Sequence, residues 1–452
     1  MKYIALTIGP IVDTLSLGRK TSEVWMASYL FSSFMKNTIK VLKERSDAKF
    51  IIPFVDDEIL KEQDDGVGMF HDRFILTTET VTLEEVETIL LEQKDAIAVM
   101  VAQSIKEDEQ KVKAFFRQYL QTYLFETTEK FENPILDIST IMDSIELHTP
   151  RLEAEDDYIR RFLNRDIILN STLAKTSFGK KPSFDSIEAI ANQENGTDIN
   201  STKNAYKYIA IIYADGDSLG KYIKSQSDVT QVSKKLFDFD KKASQTIKEF
   251  GGLPIFIGGD DLIIFAPLLN SGKTVFDLLN NLSKDYKEVL KTDESTLSFG
   301  VSLTYYKYPL YEALERARDT LFCVAKNYEG KNAIALSTQK HSGQSFEFCI
   351  GKNESAYSIF LELIKKVLNE EIELPHAIHH KLQSHQKLFE AIPMERLEST
   401  FENIFNEDLH KSKFKEGLES IQELIKELGL EEKQQEKLFS MLSTIKVLRG
   451  DR

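Results

Sequence analysis

The chain has few of the residues that build extracellular or membrane proteins. Only two cysteines occur among its 452 residues, Cys323 and Cys349, too few for a disulfide framework or a four-cysteine zinc site. No apolar run approaches the ~18–20 uncharged residues of a membrane span, and the N-terminus lacks the pattern of a secretory signal. The sequence therefore predicts a cytoplasmic protein with reduced thiols.

Positive charge is also in short supply. The net charge of −15 argues against a protein that coats nucleic acid by itself, because such binding depends on basic patches that neutralise phosphates. It does not exclude nucleotides as substrates. The composition, 42% hydrophobic and 29% charged, is ordinary for a folded protein of two to four domains.

The same order of predicted elements occurs twice along the chain. Residues 3–12 predict a strand, apolar positions from 17 to 43 recur at helical spacing, and two strands and a second helix follow. This β-α-β-β-α plan is typical of a ferredoxin-like palm domain, and it returns after a polar linker candidate at 192–204. The sequence predicts an α+β fold with two palms, divided into a first palm at 1–104, a helical inter-palm region and linker at 105–204, a second palm at 205–345 and a separate C-terminal helical domain at 346–452.

Two acidic segments of the second palm indicate its chemistry. The first strand of this unit ends in ADGD, and Asp215 and Asp217 share one face because they are two apart on a strand. The run IFIGGDDLIIFAP predicts a hairpin whose tip holds Asp260 and Asp261. Either segment alone is more typical of an acidic turn on a solvated edge. The pair in this order predicts a cluster of four carboxylates.

Crowded carboxylates repel one another, so such a cluster usually holds divalent cations. Hard oxygen ligands favour Mg²⁺ or Mn²⁺, and because Mg²⁺ is commonly shared with substrate phosphates, the cluster predicts a nucleoside triphosphate. We expect the helix that begins after the first strand of the second palm to present backbone N–H groups to those phosphates. The predicted metal ligands are Asp215, Asp217, Asp260 and Asp261, and the predicted donor-nucleotide site comprises Ser218, Leu219, Gly220, Lys221, Gly258, Gly259 and Lys326.

These segments resemble a known family. The ADGD strand, the GGDD hairpin and the helix RARDTLFCVAKNYEGKN, whose AK and GKN look like the AK and GRN of diguanylate cyclases, resemble the nucleotidyl-cyclase palm superfamily over residues 205–340. The segments TIGPIVDTLSLGRKTSEVWMASYL (7–30) and FHDRF (70–74) resemble the first palm of the large polymerase-cyclase subunit of type III-B CRISPR effector complexes.

The resemblance implies an ATP-dependent nucleotidyltransferase. One ATP lies on the second palm with two metals on Asp215 and on Asp260 or Asp261, the predicted catalytic residues, and the ribose hydroxyl of a second nucleotide attacks its α-phosphate. The first palm lacks DxD and GGDD, so the resemblance implies an acceptor site there. Its predicted phosphate or base contacts are Arg19, Lys20 and Arg73, with surface ion pairs as the alternative.

The resemblance also implies partners, which are the other subunits of such a complex with guide RNA and target RNA, and no membrane or autonomous DNA binding. Many relatives carry an N-terminal HD nuclease domain, whereas this chain begins at the palm, and we expect no such DNase activity. The cysteine zinc motif often found between the palms cannot form here, so we expect no zinc. Four histidines at helical spacing are more typical of an exposed helical face than of a metal site: His376, His379, His380 and His385.

Asp72 stands where the family usually has Asn. An acidic group in the acceptor site repels a triphosphate and favours a cationic acceptor. Because some nuclease-lacking members couple ATP to S-adenosylmethionine, we expect an AMP conjugate of S-adenosylmethionine, slightly ahead of a cyclic oligoadenylate. A stand-alone cyclic-dinucleotide cyclase is disfavoured by the divergent first palm and the helical C-terminal region, and an inactive scaffold by the intact DGD and GGDD.

Overall fold

The structure is a computed structural model, and the residues it describes are 1–61, 66–147, 157–179, 182–193, 203–226, 228–375, 378–406 and 412–450. Most of the linker candidate at 192–204 lies outside the described residues, as does His376. The predicted domain boundary at 204 stays a prediction for that reason.

The first palm is a four-stranded antiparallel sheet with long helices. Its strands are β1 (Lys2–Gly9), β2 (Lys49–Ile52), β3 (Arg73–Thr78) and β4 (Gln121–Thr127), in the spatial order β2-β3-β1-β4. The helices along this stretch are α1 (Ile11–Ser16), α2 (Thr21–Arg45), α3 (Asp57–Lys61), α4 (Leu83–Ile105) and α5 (Glu109–Tyr119).

Helices α2 and α4 form where the sequence predicts them. The apolar stripe of α2 is fully buried, and one side of this helix packs against the second palm as well as the first. Helix α4 begins with a capping box, in which Thr82 and Glu85 each accept a hydrogen bond from the other's backbone N–H. Amphipathic spacing and a capping signal are both local features, which is why the sequence alone locates these helices.

Strand β4 was missed by the sequence analysis, which predicted a helical region from residue 105. It pairs antiparallel with β1, from Tyr3 opposite Thr127 to Gly9 opposite Gln121. Its seven residues are mostly half-buried at the sheet edge, so their alternation is weak beside the helices on either side. The first sheet therefore extends to Thr127. The remaining helices of this region are α6 (Pro134–Glu146), α7 (Tyr158–Phe162), α8 (Arg165–Asn170), α9 (Thr172–Phe178) and α10 (Ile187–Ala191).

The second palm is built on a six-stranded sheet in the order β12-β11-β10-β5-β7-β6. Its strands are β5 (Tyr208–Asp217), β6 (Leu253–Gly258), β7 (Asp261–Pro267), β10 (Thr296–Tyr305), β11 (Ala333–Gln339) and β12 (Ser345–Gly351), with a small hairpin of β8 (Leu269–Asn270) and β9 (Lys273–Thr274). Among the strand pairs in the described part of the chain, β10 and β11 alone run parallel. The helices are α11 (Leu219–Ser225), α12 (Val229–Glu249), α13 (Val275–Leu290) and α14 (Leu310–Asp319), the last continued by a π-helical turn at Thr320–Val324 and a 3₁₀ turn at Ala325–Asn327.

The C-terminal helices pack directly against the second sheet, and their division from it as a separate domain stays a prediction. They are α15 (Ser355–Leu368), α16 (Ile378–Ser384), α17 (Gln386–Ala391), α18 (Leu397–Ile404), α19 (Ser412–Leu428) and α20 (Glu432–Arg449). Phe360 of α15 packs edge-on against Phe276 and Phe348, with ring centroids 5.4 and 5.7 Å apart, so these helices share one core with the second sheet. Strand β12 also crosses the predicted boundary at 345. Over the described ranges, no helix is both long and apolar enough to cross a membrane.

Gly300 allows α14 to pack closely on β10, and replacing it tests this packing. A Cβ at Gly300 would meet the backbone of Ala317 and Leu321, and would come within 2.6 Å of the Leu321 Cβ. We expect Gly300→Ala to destabilise the fold by about 1–3 kcal/mol, because rigid backbone atoms cannot move aside. Thermal denaturation monitored by circular dichroism measures the effect.

Gly220→Ala is the matched control for Gly300→Ala. An added Cβ there meets only Leu136, at an ordinary 3.5 Å. Equal melting temperatures for both variants and the wild type would contradict this account of the β10–α14 contact.

Candidate active site

The two acidic segments of the second palm meet at one end of its sheet. Strands β5 and β7 are antiparallel neighbours, and their pairing ends beside Asp215 and the tip of the β6–β7 hairpin. Gly216 lies against Asp260, since a Cβ at Gly216 would come within 2.8 Å of the Asp260 Cβ. Only glycine permits this approach. The structure brings Asp215, Asp260 and Asp261 together, while their catalytic roles stay predictions.

Lys326 neutralises part of the negative charge at this end of the sheet. Its ammonium forms an ion pair with the Asp215 carboxylate and lies 3.1 Å from Oδ1 of Asp217. It also donates hydrogen bonds to the backbone carbonyls of Asp215 and Gly216, at 2.9 and 2.6 Å. Lys326 is thus a counter-ion within the cluster, and the predicted contact with ATP phosphates would require it to exchange some of these bonds.

Asp217 is hydrogen-bonded within the protein, whereas the sequence predicted a metal ligand. It is only 2% exposed, and its Oδ2 accepts hydrogen bonds from Thr296 (2.9 Å), Ser298 (2.7 Å) and the backbone N–H of Asn332 (3.0 Å). With Lys326 on Oδ1, these donors use the acceptor capacity of the carboxylate. Asp217 therefore ties β5 to β10 and to the loop before β11, and has little capacity left for a metal.

The other carboxylates fit a hard cation in chemistry but are not arranged as a finished metal site. Within the part of the chain that the structure describes, no group of three His, Cys, Asp or Glu side chains converges as metal ligands would. Mg²⁺ needs only one or two protein carboxylates when phosphates supply the other ligands. Asp215 with Asp260 or Asp261 is a sufficient set of that kind.

Mutual repulsion and desolvation change the acidity of the hairpin carboxyl groups. Desolvation raises the pKa of Asp260 from 3.8 to about 7, and the nearby Asp215 contributes to the rise. Desolvation also raises the pKa of Asp261 well above its ordinary value, and three carboxylates add to this effect: Asp260, Asp215 and Asp72. Water still reaches Asp261 and Asp72, whose side chains are exposed. Because protein surrounds Asp261 and Asp72 and solvent still reaches both side chains, these residues line an open cleft.

The first palm forms the opposite wall of this cleft through the segment before β3. The negative charge of Asp72 contributes to the raised pKa of Asp261. Desolvation raises the pKa of Asp72 itself, although the neighbouring guanidinium of Arg73 lowers it. The ring of His71 packs against Gly258 and Gly259 at the hairpin turn. Burial lowers the pKa of His71 to about 4, so the imidazole is neutral at pH 7. The cleft is therefore a site shared by both palms.

Arg73, a predicted acceptor contact, is engaged in ion pairs in this structure. Its Nη2 lies 2.9 Å from Oδ1 of Asp143 and 2.6 Å from Oε1 of Glu146, both on α6. The arrangement matches the ion-pair alternative. Contact with an acceptor stays a prediction, and it would compete with these two carboxylates.

Arg19 packs on α14 of the second palm, and contact of Lys20 with an acceptor stays a prediction. The guanidinium of Arg19 stacks over the ring of Tyr311 at 4.1 Å, and Lys20 is exposed at the start of α2. Tyr311 and Lys326 are 15 residues apart on α14 and the turns that continue it, a separation of roughly 20 Å along a helix. Arg19 therefore lies near the end of α14 that is remote from Lys326, and no local sequence pattern could have indicated this distance.

The predicted donor-nucleotide segment follows β5 directly. Ser218 has a left-handed φ of 56° and precedes α11, whose first residues are Leu219 and Gly220. Lys221 is exposed, with its N–H bonded to the Ser218 carbonyl at 3.0 Å. These residues follow Asp217 directly in the chain, and their contact with ATP stays a prediction.

Asp240 is a residue of this site that the sequence analysis missed. It is fully buried beneath the hairpin turn, where its Oδ1 accepts a hydrogen bond of 2.8 Å from the N–H of Gly259. Burial raises its pKa well above the ordinary value. The signal was present, because Asp240 falls on the apolar stripe of α12 with Ala243 and Ile247. A carboxylate at a core position of a helix indicates a specific buried partner.

The C-terminal histidines form no site among the residues that are described. His379 is half-buried against Phe439, with ring centroids 5.3 Å apart, and burial lowers its pKa to about 4. His380 is exposed, as predicted, and Nδ1 of His385 is 2.8 Å from the Lys381 carbonyl.

Comparisons with known proteins agree with this architecture. A family described as "Cas10/Cmr2, second palm domain" matches residues 208–335, and one described as "CRISPR-associated protein Cmr2, N-terminal" matches residues 3–118. The chain is 28% identical over 195 residues to the CRISPR system Cmr subunit Cmr2 of Pyrococcus furiosus, which is 37% of this chain and 22% of that protein. The match thus spans about a fifth of the relative's length.

Solved structures show the same fold. The type III-B Cmr-beta complex in its apo state contains a chain with a TM-score of 0.61 and 9% identity, over 86% of this chain and 75% of that chain. The Csm1-Csm4 cassette in complex with AMPPNP gives a TM-score of 0.57 and 12% identity, over 100% of this chain and 70% of that chain. The two family matches, which cover different parts of the chain, identify it as a member of the Cas10/Cmr2 family.

The raised pKa of Asp260 predicts how stability depends on pH. A carboxyl group whose pKa is about 7 in the fold and 3.8 in the unfolded chain contributes stability below pH ~4 that is lost as pH rises through 7. Asp260→Asn removes this titration. In metal-free buffer we expect the variant to lose roughly 1–3 kcal/mol less stability than the wild type between pH 4 and pH 8.

Thermal denaturation at several pH values measures this difference. Asp238→Asn, which changes an exposed carboxylate on α12, is the control and should follow the wild type. Identical pH profiles for Asp260→Asn and the wild type would show that Asp260 titrates normally.

Proposed function

We propose that this protein is the nucleotidyltransferase subunit of a type III-B CRISPR effector complex, and that it makes a nucleotide second messenger from ATP. The observation that carries the proposal is the composite cleft, in which Asp215, Asp260 and Asp261 of the second palm face Asp72 of the first. The proposed partners are the other subunits of the complex with guide RNA and target RNA. Chains of similar fold occur in a Cmr-beta complex bound to cognate target RNA and in Csm1-Csm4 cassettes, which supports this assignment.

The proposed reaction joins an acceptor hydroxyl to the α-phosphorus of ATP. A bond forms between the acceptor oxygen and the phosphorus, the bond to the bridging oxygen breaks, and pyrophosphate leaves. The pKa of Asp260 is raised to about 7, so this carboxyl group, where it is not a metal ligand, is suited to accept the hydroxyl proton near neutral pH. Bound Mg²⁺, held by Asp215 with Asp260 or Asp261, would neutralise triphosphate charge.

Charge on the first palm supports a cationic acceptor. Asp72, Asp143 and Glu146 surround the single guanidinium of Arg73, so this wall of the cleft is negative overall. Such a wall repels a second triphosphate and attracts the sulfonium and amino groups of S-adenosylmethionine. We therefore propose an AMP conjugate of S-adenosylmethionine as the product.

A cyclic oligoadenylate is the second candidate product. Csm1-Csm4 cassettes of the same fold, with 12% identity, have been solved in complex with pppApA and with cA4. In this candidate, Arg73 would have to exchange its ion pairs for the phosphates of a second ATP. Mass spectrometry of products formed by the assembled complex from ATP, Mg²⁺ and target RNA, with and without S-adenosylmethionine, distinguishes the two.

Removal of the hairpin carboxylates tests the nucleotidyltransferase itself. We expect the variant with both Asp260→Ala and Asp261→Ala to lose about 100-fold or more in product formation, equivalent to ~3 kcal/mol of transition-state stabilisation. Pyrophosphate release from ATP by the assembled complex measures the rate. Asp238→Ala, which removes an exposed carboxylate of the same palm, should retain the wild-type rate. Undiminished turnover in the double variant would exclude this site.

Asp72→Asn tests the choice of acceptor. The substitution keeps the size of the side chain and removes a negative charge, so we expect the ratio of S-adenosylmethionine conjugate to oligoadenylate to fall by about 10-fold, or ~1.4 kcal/mol. Competition between the two acceptors in one reaction, read by mass spectrometry, gives this ratio. An unchanged ratio would show that Asp72 does not select the acceptor, without affecting the assignment of the catalytic carboxylates.

A further inference from the structure

The hairpin turn that presents Asp260 and Asp261 is enclosed from two sides. On one side, the His71 ring lies so close that a Cβ on Gly259 would come within 2.6 Å of its Cε1 and 3.3 Å of its Nε2. A Cβ on Gly258 would come within 3.2 Å of its Nδ1. The imidazole therefore rests directly on the two glycines.

On the other side, the turn is held by the buried carboxyl group of Asp240. Its Oδ1 accepts the Gly259 N–H at 2.8 Å, and Asp240 is 0% exposed. Its Oδ2 has no hydrogen-bond partner among the described residues. Burying a carboxyl oxygen without a hydrogen-bond partner lowers the stability of the fold. The one hydrogen bond from Asp240 to the turn is therefore structurally important.

His71 is itself fixed by bonds that flank it in sequence. The backbone N–H of Phe70 donates to Oγ of Ser32 on α2 at 2.9 Å, and the Asp72 carbonyl accepts the N–H of Ile8 on β1 at 2.9 Å. Both partners belong to the first palm. The ring is thus anchored in the first palm and contacts the turn of the second.

A further backbone bond joins the two palms next to the ring. The N–H of Ile257, just before the turn, donates to the Gly68 carbonyl at 3.3 Å. Phe70 also faces Phe237 of α12, with ring centroids 6.4 Å apart. Contacts of the first palm therefore reach the turn, the strand that leads into it and the helix beneath it.

We propose that His71 is a positioning residue that holds the GGDD turn against Asp240, so that Asp260 and Asp261 are correctly placed only while the first palm is docked on the second. This inference rests on the proposed function for its effect on turnover. The contact itself does not depend on that function, because it can be observed as protection of the turn from hydrogen exchange.

Hydrogen exchange on the full chain, without nucleotide, tests the contact. We expect His71→Ala to speed exchange in peptides covering residues 253–267 by about 10-fold, because local opening of the turn becomes easier, and to leave the rest of the second sheet unchanged. His71→Phe fills a similar space without ring nitrogens and should restore protection. His379→Ala, which removes another half-buried imidazole, is the matched control and should leave the hairpin unchanged.

Turnover by the assembled complex tests the consequence. We expect His71→Ala to lower kcat by about 10–100-fold with KM for ATP within ~3-fold, because misplaced carboxylates slow the chemistry more than they weaken binding. His71→Phe should recover most of kcat. Unchanged exchange in His71→Ala would overturn the proposal, and so would a His71→Phe variant that is protected but inactive, because the imidazole would then act on the substrate. A wild-type complex that makes no product would reject the proposed function alone, and the exchange experiment would still decide the contact.

Discussion

Repulsion among carboxylates at one end of a sheet is the constraint to which the rest of the structure responds. Asp215 and Asp260 approach each other because Gly216 has no side chain between them, and Lys326 supplies the compensating charge. Neighbouring elements stabilise this arrangement. The turns that continue α14 place Lys326 beside the carboxylates, and the first palm packs against the hairpin. Lys326 offsets only part of the negative charge of the cluster, which supports the proposal that the site binds cations and the polyphosphates that accompany them.

Local patterns made much of this predictable. The spacing of apolar residues located α2, and the two acidic segments were placed on β5 and on the β6–β7 hairpin because strand alternation and a glycine turn are encoded within a few residues. That Asp215 would meet the hairpin tip followed from the order of the strands in a palm. Lys326 was recognised as a cation of the site, although as a phosphate contact and not as the counter-ion of Asp215.

The features that the sequence did not reveal are those decided by long-range packing. Asp217 and Asp215 have the same local signal, and only the positions of Thr296, Ser298 and Asn332 show that one of them is bound by protein donors. The distance between Arg19 and the cleft depends on how α1 meets α14. The alternation of β4 is too weak to predict a strand until its pairing with β1 is known. The contact of His71 joins two domains, so no single segment of the sequence predicts it.

The core shared by the second sheet and the C-terminal helices limits how this protein can be divided. Phe276, Phe348 and Phe360 interlock across the boundary where a palm would ordinarily end. A fragment cut after β12 would expose the apolar face of the second sheet to water, so a smaller stable fragment has to retain the helices or replace the surface they cover. Substitutions on the inner side of these helices therefore carry a packing cost that substitutions on their outer side do not, because only the inner side is part of the core shared with the sheet.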